Sequence, residues 1–240
     1  MINAAQAVQA KVDTALVNTR GRLFSGDIVN VKAAGLANDV GQIAARHVAI
    51  DVGAGLLNNA TGQIVGEQML ILKQGQIENR AGLISSGQNL SIDTQGQALV
   101  NDGGRLHSAG LLDINAGQLS NEKGLLQGGQ GLTLTAAQVS NTQGEISSSA
   151  GSVALRSQSL NNTLGQILAK TQLNVDGGEV LSTGTLASGQ NAQINATSLQ
   201  NEGGIQSGQS IKLDIDGPLS SERGQVLAGY DAGDERHPFG

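Results

Sequence analysis

The sequence predicts an all-β chain wound as a right-handed parallel β-helix of about eleven triangular coils, each of roughly twenty residues. Three observations predict it. A short motif recurs at a near-constant interval, apolar residues occupy the same places within every interval, and the composition combines 35 glycines with 1% aromatic residues. A core built without large rings must be filled by small aliphatic side chains, and tight turns must be frequent.

The motif is apolar-x-Asn-x-x-Gly. Its asparagines are Asn18, Asn38, Asn59, Asn79, Asn101, Asn121, Asn141, Asn162 and Asn201, with Ser182 and Ser221 at the two other expected places. A fixed period of this length is read before any local preference, because it overrides residue-by-residue assignment. Two residues before each marker stands Leu16, Leu36, Leu57, Ile77, Leu99, Leu119, Val139, Leu160, Val180, Leu199 or Leu219, which defines one inward position. Five residues after the marker a second inward position holds Leu23, Ile43, Ile64, Ile84, Leu106, Leu126, Ile146, Ile167 and Val226, with weaker fits at Leu186 and Ile205.

Farther on come apolar pairs spaced by two, such as Val29 and Val31, Leu70 and Leu72, Leu112 and Ile114, and Val153 and Leu155. Alternation of this kind places both side chains on one face of a strand. Each coil therefore reads as three short strands separated by turns. Asn and Gly suit the first corner because both tolerate left-handed backbone angles. A single coil cannot bury its apolar positions alone, so stability comes from stacking like on like at about 4.8 Å. The marker asparagines are expected to form a hydrogen-bonded ladder of stacked amides, and Asn121→Ala is expected to cost on the order of 1 kcal/mol.

Residues 1–228 read as one repeat segment and residues 229–240 as a charged, non-repeating tail. Coil nine, with Ser182 for Asn and with Gly177, Gly178 and Gly184 nearby, is expected to be irregular, as is the stretch near Asn101. Ala10 and Val12 look like the close of an earlier, incomplete coil. The absence of recognisable caps points to a piece of a longer array whose open strand edges invite association. Residues Met1–Ala10 lack the basic and apolar regions of a secretion signal, so any signal is expected outside this stretch.

Chemistry of other kinds finds little footing. A net charge of −6 gives no basic field for nucleic acid. The chain has no cysteine for a disulfide or thiolate metal site. His47 and His107 fall three coils apart, too far to share a metal, and read as surface residues. Asp93, Asp113, Glu122, Glu145 and Asp176 scatter over different coil positions without forming a recurring pair, so neither catalysis nor a cofactor is expected. Asp231, Asp234, Glu235 and His237 cluster in the tail and read as a charged terminus. Phe24, Tyr230 and Phe239 are too few to line a sugar cleft, although polar ladders of Ser, Thr, Gln and Asn can still hold a glycan weakly. The Asn-x-Ser/Thr sequons at Asn59, Asn89, Asn161 and Asn195 read as by-products of an Asn- and Thr-rich composition.

The repeat Leu119-Ser-Asn-Glu-Lys-Gly-Leu-Leu-Gln-Gly-Gly-Gln-Gly-Leu-Thr-Leu resembles the haemagglutinin repeats of filamentous haemagglutinins and of the stalks of contact-dependent growth inhibition effectors. Leu160-Asn-Asn-Thr-Leu-Gly-Gln-Ile-Leu-Ala resembles them too, and the likeness runs from about Val12 to Ala228. It implies a large Gram-negative exoprotein, exported through an outer-membrane two-partner secretion transporter and displayed on the cell surface as a filament. The segment itself then reads as a structural and adhesive rod, its neighbours being adjacent coils of the parent chain and, beyond them, a host or neighbouring-cell receptor or glycan. Two other readings are a receptor- or carbohydrate-binding module in its own right and a β-helical polysaccharide lyase or hydrolase.

Overall fold

The computed structural model describes residues 1–229, and the tail from Tyr230 onward, with its acidic and histidine cluster, lies outside them. It is all β: twenty-seven strands joined into a single sheet by parallel pairing, each strand between the first and last coils bonded to its counterparts about twenty residues earlier and later. The chain climbs as a parallel β-solenoid of about eleven coils, which at about 4.8 Å per coil makes a rod roughly 50 Å long.

Register follows from the apolar positions. Leu112 and Ile114 lie beside Leu90 and Ile92 on one side and Leu132 and Leu134 on the other. Ile146 sits between Leu126 and Ile167 in the same way. Slipping any strand by one residue would turn its leucines outward. The interior is one continuous aliphatic core along the rod. Leu186 and Ile205, the weaker sequence fits, are fully buried and in register with Ile167. Ala192 and Ile194 continue the alternating pairs in the next coil, in register with Leu173 and Val175. Pairing also starts earlier than Ala10, with Ile2 beside Leu23, while Ala10 lies beside Val31.

The first corner is built differently from the sequence expectation. Neither the marker asparagine nor the motif glycine takes the left-handed conformation; the residue between them does. Arg20, Val40, Thr61, Ala81, Lys123, Gln143 and Leu164 have φ of 51° to 56°, and Gly103 holds the same place in its coil. The motif glycine is required by close approach instead. At Gly124 a Cβ would run into the carbonyl oxygen of Asn101 one coil earlier and into Oδ1 of Asn121, and Gly41, Gly62, Gly82, Gly104, Gly144 and Gly165 meet the same obstruction.

The three corners are not equivalent breaks. Between Gln42 and Lys73 two strands, Gln42–Asp51 and Gln63–Lys73, run unbroken through the second corner. From Leu111 onward the continuous strands, such as Leu111–Ser120 and Val153–Asn162, run through the third corner instead. A small inward residue at the bend permits this, as Ala116, Ala136, Ser157 and Ala196 show. The irregularity near Asn101 lies before the marker, at a longer third corner where Gln95 and Gly96 have positive φ.

Coil nine carries the expected irregularity, but at a single corner. Strand Leu173–Ser182, which contains Gly177 and Gly178, keeps its register with both neighbours. The departure is confined to the corner after Ser182. There Leu186, four residues past the marker, occupies the place that Ile167 fills five residues past Asn162. The corner is one residue shorter and no residue in it has positive φ.

These assignments separate two adjacent residues. Gly124→Ala is expected to destabilise by about 1–3 kcal/mol through overpacking against backbone. Lys123→Gly, relieving a left-handed non-glycine residue, is expected to change stability by less than about 1 kcal/mol. Urea melts of the two variants beside the parent chain measure the difference.

Candidate functional site

The most elaborate polar construction in the molecule is internal. Nδ2 of Asn18 donates to Oδ1 of Asn38 at 2.6 Å, and Asn38 donates to Asn59, Asn59 to Asn79 and Asn79 to Asn101, each at 2.7 Å. Asn101, Asn121 and Asn141 continue the chain to Asn162 at 2.8 Å per step. From Asn38 to Asn162 each amide also donates to the carbonyl of its own corner glycine and to a carbonyl in the next coil, as Asn121 does to Gly124 and Glu145. Two hydrogens thus serve three oxygens, and the row is buried, with 0% exposure at Asn121.

Serine at position 182 stops the relay. Its Oγ accepts from Asn162 at 3.1 Å, but Asn201 begins a separate pair, donating to Ser221 Oγ at 3.0 Å. Asn201 Oδ1 turns instead to its own corner, accepting from Gly203 N.

A second internal row escaped the sequence reading. At the second corner Ala45, Gly66, Ser86, Ser108, Gly128, Ser148, Ala169, Ser188 and Ser207 stack in register. Every one is small, and Ser108 Oγ fastens the turn through Gln88 O and Leu111 O at 2.6 and 2.8 Å. The signal was present at seven residues past most markers, but small residues of mixed polarity leave no trace in a hydropathy pattern.

The outer faces carry the titratable groups. His47 approaches Asp27 at 3.3 Å, while His107 stacks between Ser85 and Gln127, so the two histidines occupy different columns. Asp93 and Asp176 share one column, against the expectation of wholly scattered positions, with Asn115, Thr135 and Arg156 between them. Asp113 lies in the adjacent column beside Thr133, Glu145 is on another face beside Leu125, and Glu122 follows the ladder residue Asn121. Arg80 joins Glu78 to Asp102, whose Oδ1 accepts from Ser120 Oγ and Glu122 N. Exposed pairs of this sort contribute little each. Among the described residues no three His, Asp or Glu side chains converge on a metal-sized point. The sequon residue Asn59 is fully buried in the ladder and has no room for a sugar, while Asn89 and Asn161 are exposed.

Openings on the surface are shallow. One of about 410 Å³ runs across the strands of coils six to nine, floored by Thr133, Thr135, Arg156, Asn174, Asp176, Gln193 and Asn195. Arg156 and Asp176 pair across it at 3.1 Å. Its chemistry is that of amides, hydroxyls and one ion pair on a nearly flat sheet.

Stacked coils, a ladder that needs its neighbours and a polar exterior define a structural repeat protein of the β-solenoid class. The haemagglutinin repeat family matches the chain three times, over residues 2–101, 91–177 and 150–217, and the chain belongs to that family. Comparison with curated proteins and with solved structures found no match.

The geometry raises the expected cost of breaking the ladder. Asn121→Ala removes two N–H donors shared among three oxygens and strands Asn141 Oδ1 in a dry interior, so about 2–4 kcal/mol is expected in place of 1. Ser182→Ala, at the relay's weak step, is expected to lose about 1 kcal/mol. Guanidinium melts in which both variants lose the same stability would sink the distinction.

Proposed function

We propose that this chain is a structural and adhesive rod segment of a large secreted bacterial surface exoprotein of the filamentous haemagglutinin type. Its work is to hold a distal binding or effector region away from the cell. The observation that carries this reading is continuous parallel pairing from Ile2 to Ala228 in a chain of haemagglutinin repeats. A solenoid in which each coil is gripped by the next resists bending at every step, which is what a spacer requires. Membership of the family supports export to the cell surface through an outer-membrane two-partner secretion transporter, and a place among adhesins or contact-dependent growth inhibition stalks. The shallow, hydroxyl- and amide-lined surface also supports a non-enzymatic role.

A second reading makes the segment itself a receptor- or glycan-binding module. The groove over Thr133, Arg156, Asn174 and Gln193 favours it, since its hydroxyls, amides and ion pair match the donors and acceptors of a sugar.

Labelled chain added to bacterial and epithelial cells separates the two. The rod reading places adhesion in the distal region that the segment presents, and expects the segment alone to bind no more than a Leu126→Asp chain, whose core carries a buried charge and does not fold. Saturable binding that is lost on Asn174→Ala with Gln193→Ala would place recognition on this segment and displace the spacer reading.

A further inference from the structure

One outer face differs from the others in the first half of the rod. It is formed by the outward residues of strands Ile28–Lys32, Gln42–Asp51, Gln63–Lys73 and Asn89–Asp93 and of the start of Leu111–Ser120. Ile28, Met69, Ile71 and Leu111 are 39–52% exposed on it. Beside them runs a column in which Lys32, Asp51, Lys73 and Asp93 are adjacent in register. The charges therefore alternate along the rod: base, acid, base, acid.

Alternating charges one coil apart are well placed to neutralise one another within the chain. Among the described residues, none of these four enters an ion pair. Farther along the same column Arg156 and Asp176 do pair, at 3.1 Å. Asp51 and Asp93 instead turn one oxygen to the backbone of the following corner, at Gly53 N and Gln95 N. Both lysines keep their charge free for another molecule.

We propose that this face binds a second copy of the chain, packed face to face and antiparallel. A two-fold axis lying in the interface, across the rod and between the coils of Asp51 and Lys73, keeps each column opposite itself and reverses its order. The series base, acid, base, acid then meets acid, base, acid, base. Lys32 faces the second copy's Asp93, and Asp51 faces its Lys73. The same operation sets exposed Ile71 over the small Ala49, and in the neighbouring column it sets Leu111 over the small Ala7, Met69 over the His47 ring and Ile28 over Asn89. The next position of the charged column, Lys11, meets Asn115 with no like charge opposed. An isologous interface requires self-complementarity of this kind.

Area sets the strength. Six coils by one five-residue strand give about 480 Å² per copy, roughly 1,000 Å² in all, below the span typical of stable complexes. Association is therefore reversible and depends on concentration and on salt. It does not depend on the rod segment serving as a spacer.

Two double variants with identical composition and net charge test the charge order. Lys32→Asp with Asp93→Lys gives acid, acid, base, base, which remains complementary to its own reverse. Lys32→Asp with Asp51→Lys gives acid, base, base, acid, which opposes like charges at every contact. In sedimentation equilibrium the parent chain and the first variant are expected to rise from 24.4 kDa towards twice that mass with concentration, less so in high salt, while the second stays at 24.4 kDa. Circular dichroism melts establish that each is folded. A second pair of variants makes the column wholly basic (Asp51→Lys, Asp93→Lys) or wholly acidic (Lys32→Asp, Lys73→Asp). Each is expected to be monomeric alone and to associate when mixed. A parent chain that stays monomeric at all concentrations, or an acid, base, base, acid variant that associates as the parent does, overturns the proposal.

Discussion

Everything in this rod depends on like positions lying on like, one coil after another, and the asparagine ladder is where that constraint is most severe. A buried amide with no partner is costly in a dry core. The marker amide cannot be satisfied within its own coil, because two of its three acceptors belong to the next one, as Asn59 does with Asn79 Oδ1 and Leu83 O. Each coil is therefore completed by its neighbour. The aliphatic rows add the larger energy, but leucine and isoleucine accept many arrangements; the amide accepts one.

Energies in such a molecule are sums over neighbouring coils, and the sum is not uniform. From Asn18 to Asn162 the relay is unbroken. At Ser182 the relay stops and the first corner loses a residue, yet the strand Leu173–Ser182 keeps its full register on both sides. The joint is weak in hydrogen bonding but intact in packing. Local opening should begin there before it begins at Asn121, since local stability follows the density of buried contacts and bonds.

The division of labour between inside and outside follows from the same geometry. Inward positions are fixed by the stack, while outward positions vary between coils without disturbing it. That freedom leaves room for amides and hydroxyls over Thr133 and Asn174, and for alternating charge over Lys32 and Asp51. The exterior can thus be specialised face by face on a shaft whose interior hardly changes.

The sequence by itself determined the class of fold, the length of the repeat, the inward rows and the identity of the marker residues, because period and hydropathy are properties of single positions. It misassigned the reason for the corner. Asn and Gly appeared to be there for their backbone freedom, but the left-handed turn falls on Lys123 and its equivalents, and Gly124 is glycine because the Asn101 carbonyl leaves no space for a Cβ. It also missed the small-residue row through Ser108 and Gly128, whose members share size and not polarity. Only the tertiary structure decided which corners bend and which break, and which charges lie in one column. Those facts depend on contacts between residues about twenty positions apart, which a linear pattern orders but does not place in space.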